Sequence, residues 1–250
     1  MRINKDKHIG RVLFIVEGSK TEFSILRKIF CNMLDYEYVE KRRNKPMYFT
    51  HKGDKFSKVA VVNTRESNIR DISENTDFLN ETFEVLTEKY NFPVDQAAIY
   101  YLFDRDPESN RDKALIRRYI KALSNPYDVS DDGYEVGQLL LSYPSIEAYI
   151  ISNFRRETYM QRFTLGKDTK KYIGENKEIQ QNKIDEKTLL NATDEFLKYL
   201  RSENIELDID NFSDASQRIF ENQEKEWREK GYRLFSMLTL AFLQMGIIEI

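Results

Sequence analysis

Acidic side chains adjoin three apolar runs of the chain. Glu17 closes Arg11–Glu17 (RVLFIVE), Asp104 and Asp106 follow Ala97–Phe103 (AAIYYLF), and Glu147 comes soon after Gln138–Ser142 (QLLLS). Carboxylate oxygens are hard donors that suit Mg²⁺ or Mn²⁺. Residues i and i+2 of an extended segment face one side, so Asp104 and Asp106 can converge on a single ion. Crowded carboxylates repel one another, and a divalent cation is the usual compensation. With only His8, His51 and Cys31, the sequence argues against a mixed Cys/His zinc site and offers no nucleophile motif for a triad. Each acid also has a structural explanation. Ser19-Lys20-Thr21-Glu22 fits the S-x-x-E capping box, Asp106-Pro107 fits a turn, and Glu147 falls where a helix dipole favours acids.

The elements that must position these acids follow from apolar spacing. The three runs above, with Val59–Asn63, read as buried strands. Phe23, Leu26, Ile29, Phe30, Met33 and Leu34 predict a helix reaching about Tyr36, and Phe78–Tyr90, Asp112–Leu123 and Ser145–Phe154 predict three more, the last begun by Pro144. Lys41–Lys58 reads as a basic loop or hairpin. Strands alternating with helices predict an α/β fold with a mainly parallel sheet, in which the carboxyl ends of the strands share one edge. After Phe154 a polar stretch, Arg155–Lys183, leads into helices near Glu186–Arg201, Asp214–Lys230 and Arg233–Gln244. The expected division is a domain over 1–154 and a helical subdomain over 155–250, the latter packed on the first domain or on a second copy.

Charge and hydropathy narrow the setting. Residues 1–70 hold 16 Lys/Arg against 8 Asp/Glu, whereas residues 71–250 hold 23 against 34. A basic first part on an acidic whole is compatible with a phosphate polyanion at one face. Lys41-Arg42-Arg43 and the helical stripe Lys113, Arg117, Lys121 are candidate backbone contacts for nucleic acid. The longest uncharged run, Leu234–Ile248, has 15 residues against the roughly 20 that a membrane span needs, and the first ten residues are polar, so a cytoplasmic protein with no membrane segment is expected. Gly18-Ser19-Lys20 is not a nucleoside-triphosphate loop, because Leu13 stands where that motif requires glycine.

Val16-Glu17-Gly18-Ser19-Lys20-Thr21-Glu22 after a strand, followed by Leu102-Phe103-Asp104-Arg105-Asp106, resembles the Toprim fold of topoisomerases, primases, small ribonucleases and overcoming-lysogenization-defect nucleases. Ser142-Tyr143-Pro144-Ser145-Ile146-Glu147 is similar to the P-x-x-E element of RloB-like Toprim proteins of bacterial defence loci. The resemblance covers about residues 11–154. It implies Glu17, Asp104 and Asp106 as metal ligands, with Glu22 and Glu147 serving a second metal or orienting water. Lys20 would be a phosphate contact, and Gly18 would permit the turn between strand and helix. The activity implied is metal-dependent cleavage of RNA or DNA, as a toxin-like effector of antiphage defence with an ATPase partner; a homodimer is also compatible with it. No tyrosine among the 15 is marked for topoisomerase chemistry. A primase-like nucleotidyl transferase using the same metal, and a non-catalytic Toprim binding module, are the competing readings.

Overall fold

The protein is described by a computed structural model covering residues 1–39, 46–66, 68–74, 76–127 and 137–250. Lys41, Arg42 and Arg43 lie outside the described residues. The chain forms β1 (Arg11–Val16), α1 (Thr21–Met33), β2 (Tyr36–Tyr38), β3 (Met47–His51), β4 (Lys58–Asn63), α2 (Thr76–Tyr90), β5 (Ala97–Asp104), α3 (Lys113–Ala122), β6 (Gly137–Tyr143) and α4 (Glu147–Phe154). It continues with α5 (Gly166–Glu175), α6 (Glu186–Ser202), α7 (Ser213–Lys230), β7 (Phe235–Ser236) and α8 (Leu238–Gln244).

One mixed sheet runs in the order β7-β6-β5-β1-β4-β3-β2. Its centre, β6-β5-β1-β4, is parallel, and it contains all four strands expected from the apolar runs. The flanks are antiparallel: β3 and β2 form a hairpin beside β4, and β7 pairs with β6. Val12–Val16 of β1 are completely buried, as a strand covered on both faces must be. At roughly 1.5–3 kcal/mol for each large apolar side chain buried, this strand fixes the sheet's depth in the core. Register then sets the site edge. Val16 lies opposite both Leu102 and Asn63, and Asp104 opposite Ser142, so the carboxyl ends of β1, β5 and β6 finish together.

Three boundaries depart from the sequence reading. The capping box is not formed: the N-cap of α1 is Lys20, whose ammonium has no acceptor to offer the helix amides, and the Glu22 carboxylate takes the Gly18 amide. The helix expected over Arg233–Gln244 begins only at Leu238, since Phe235–Ser236 gain more by extending the sheet edge against Ser142 and Tyr143. Helix α4 begins at Glu147, after Pro144, whose peptide bond with Tyr143 is cis. The polar stretch Arg155–Lys183 also contains an unexpected helix, α5.

The apolar segment near the C-terminus packs on the N-terminal part. Phe242 of α8 lies 6.4 Å from both Phe30 and Tyr149, ring centre to ring centre, and Phe235 lies 3.9 Å from Tyr199 and 6.4 Å from Tyr143. Even the first strand-like pair of residues, Arg2–Ile3, is bonded to Ile248–Glu249. Among the described residues no helix is long and apolar enough to cross a membrane.

Candidate functional site

Glu17 is the first residue past β1, and its amide still donates to Leu102 of β5. That bond carries its side chain to the neighbouring strand end. There Glu17 Oε2 accepts from the backbone amide of Asp104 (2.9 Å) and from Asn110 Nδ2 (2.9 Å). Asn110 is itself buried and also donates to the Asp104 carbonyl (2.7 Å). Asp104 Oδ1 accepts from the amide of Ile146, just before α4 (2.7 Å). Glu22 Oε1 accepts from the amide of Gly18 (3.0 Å). A Cβ on Gly18 would sit 2.7 Å from Glu22 Oε2, so a side chain there would shift the end of that carboxylate.

Glu147, the first residue of α4, is buried and accepts from Ser145 Oγ (2.7 Å), which shares a hydrogen bond with Thr169 Oγ1 of α5 (2.8 Å). Asp106 is held through both oxygens, by the amide of Glu108 and by the amide of Gly166 that opens α5 (3.0 Å each). At this edge Glu17, Glu22 and Glu147 are buried and Asp104 is half-buried, Glu17 is bonded to the Asp104 amide, and Asp106 is tied to α5.

Alternation along the extended chain explains the residue between the aspartates. Arg105 points the opposite way and is wholly buried between α3 and α7. Its Nε lies 2.6 Å from Glu224, whose other oxygen is 2.5 Å from Lys113 Nζ, and its Nη1 donates to the Asn110 carbonyl. This ion cluster anchors the DxD segment from behind.

Burial raises the protonation of these acids, and their shared charge adds to it. The Glu17 carboxyl is pushed up to about 7, chiefly by loss of water, with the negative charge of Glu22 contributing; its amide and Asn110 bonds pull the other way. Asp104 is driven well above the carboxylate range by burial and then by Glu17, Glu22 and Glu147. Glu22 is raised by burial and by Glu147, against the pull of Lys170 on α5.

Two kinds of chemistry suit such a group. A carboxyl titrating near neutrality can accept or give a proton, and an excess of buried anionic oxygen can take up a hard cation. By donor type and charge the group fits Mg²⁺ or Mn²⁺. Among the described residues, however, no group of three or more His, Cys, Asp or Glu side chains is arranged to hold a metal ion as the side chains stand.

The cations singled out by sequence divide. Lys20 is exposed at the N-cap of α1. Lys113 is engaged by Glu224, Arg117 is doubly bonded to Glu221 of α7, and Lys121 is exposed. Much of the basic stripe therefore joins α3 to α7. Sequence reasoning passed over Asn110, Ser145 as a hydroxyl donor, Thr169 and Lys170. The last two lie on the unexpected helix, and no spacing in the polar stretch marks them. Compared with known protein families, with curated proteins and with solved structures, the chain has no match.

Proposed function

We propose that the protein is a metal-dependent nuclease of Toprim type, hydrolysing phosphodiester bonds of RNA or DNA. One observation carries the reading: Glu17, Glu22 and Glu147, buried, and Asp104, half-buried, come from three separate chain segments to the carboxyl edge of the parallel strands, with Glu17 bonded to the Asp104 amide. Uncompensated carboxylates are costly in such a place, and a divalent cation removes that cost. Glu17, Asp104, Asp106 and Glu147 would hold it, with Glu22 beside them.

Bound there, the ion would polarise a phosphodiester and stabilise the leaving oxygen. The chain's own part is to fix the carboxylates through backbone amides, which cannot swing away as side-chain donors can. Lys20, exposed at the start of α1, would be the phosphate contact, aided by the helix N-terminus. The toxin-like role in antiphage defence and the ATPase partner rest on the motif resemblance alone.

The test is expression of the wild-type chain, Glu17→Ala and Asp104→Ala in bacteria, followed by inspection of cellular RNA and DNA. Cleavage by the wild type and its loss in both variants is the expected result. Normal cutting by either variant would sink the site assignment.

A further inference from the structure

Helix α5 presents three contacts of one face to the acidic motifs. The Gly166 amide meets Asp106, Lys167 pairs with Glu108 (2.8 Å), and Thr169 meets Ser145. Beyond this face a cleft of about 180 Å³ opens between α1, α4 and α5. Glu147 and Lys170 line it, together with Ile150, Ile173, Thr21 and Gln181. Gln181 is spoken for, since its amide nitrogen donates to the Thr21 carbonyl (2.9 Å) and fixes that wall. Lys170 is exposed at the rim and forms no ion pair with any described residue, whereas Lys167 and Lys171 on the same helix both do.

We infer that this cleft is a subsite for one phosphate-sized anionic group of the ligand, with Lys170 as its counter-charge beside Glu147. The inference rests on the nuclease reading for its ligand and deepens it. Pockets that enclose a whole small-molecule ligand measure roughly 300–1,000 Å³, so a cleft of about 180 Å³ takes one group of a larger molecule. A polymer lying across the mouth satisfies this, with Ile150 and Ile173 supplying an apolar wall for the adjoining sugar or base.

The same phosphate chemistry could come from a nucleic-acid backbone or from the end of a free nucleotide, and binding experiments separate the two. The full-length chain, Lys170→Gln and Lys170→Arg are titrated by fluorescence anisotropy with short single-stranded RNA and DNA oligonucleotides in Ca²⁺, and by calorimetry with ATP. The glutamine variant is expected to bind about five- to tenfold more weakly at unchanged Tm. Its salt dependence should be shallower by about 0.7, the share of one single-strand phosphate. The arginine variant should stay close to wild type. Weakening for the oligonucleotides alone assigns the group to a polymer backbone; equal weakening for ATP assigns it to a free nucleotide. Wild-type affinity of Lys170→Gln for every probe would overturn the subsite, even if Glu17→Ala had abolished cleavage. A Lys170 effect on binding without any cleavage by the wild type would instead leave the subsite standing and remove the nuclease.

Discussion

Glu17 links stability to pH in a direction that its environment dictates. Its carboxyl ordinarily titrates near 4.5 and is raised to about 7 in the fold. Between those values the folded chain holds a proton that the unfolded chain has released, so stability falls as pH rises through this window. Glu17→Gln, which mimics the protonated form, should abolish about 2 kcal/mol of that loss, or roughly 4–8 °C in Tm between pH 5 and 8. Thermal melts across that range check it; a wild-type Tm that rises from pH 5 to 8 while the variant's stays flat would contradict it. Mg²⁺ should restore the lost stability, most strongly at pH 8, because an ion needs the carboxylates deprotonated. Arg105 makes the complementary case. With Nε 2.6 Å from Glu224 and no exposure to water, it depends on that partner. Glu224→Gln should therefore cost about 3–5 kcal/mol in chemical denaturation, the range for stranding a buried charge.

At the scale of elements, two glycines of α5 provide an internal control. Alanine is the better helix former by about 1 kcal/mol. Gly174 has nothing within 4 Å of an added Cβ, so Gly174→Ala should stabilise by about 0.5–1 kcal/mol. A Cβ on Gly166 would meet Asp106 Oδ2 at 2.7 Å and Ser145 Cβ at 3.1 Å, so Gly166→Ala should lose about 1–2 kcal/mol and release Asp106 from its amide. Equal effects of the two in urea melts would refute the docking of α5 on the DxD loop. The same helix shows where sequence reading stops. The parallel strands were legible because their apolar runs are short and flanked by turn residues, several of them rich in β-branched or aromatic residues, and the acids at their ends came with them. Gly166–Glu175 offers no such stripe: its buried residues are Gly166 and Thr169, its apolar side chains are only the half-buried Tyr172 and Ile173, and polar contacts tie it to residues up to 60 positions away. Such contacts leave no period in a sequence. Phe235–Ser236 misled for a related reason, since a continuous apolar run does not distinguish helix from strand until the sheet edge is in place.

For the whole molecule, the change of composition near residue 155 does not coincide with a break in the core. The buried apolar cluster runs from Ile9 to Ile248, Phe235 completes the sheet beside Tyr143, and Phe242 fills the space between Phe30 and Tyr149. A fragment ending at 154 would uncover Phe30, Tyr143 and Tyr149 together and strip β7 from the Ser142–Tyr143 end of β6, a poor state for a folded unit. The fragment should be unfolded or aggregated by circular dichroism and light scattering, and the intact chain should unfold in one calorimetric transition. Phe242→Ala, which empties the seam without touching any carboxylate, should cost about 3–5 kcal/mol and lower the stability of both halves at once. If residues 155–250 are instead an appended unit, hydrogen exchange in that variant will rise in α8 and its neighbours while β1 and β5 keep their protection. Exchange rising together in β1, β5 and α8 would establish that the acidic edge and the C-terminal helices stand or fall as a single cooperative structure.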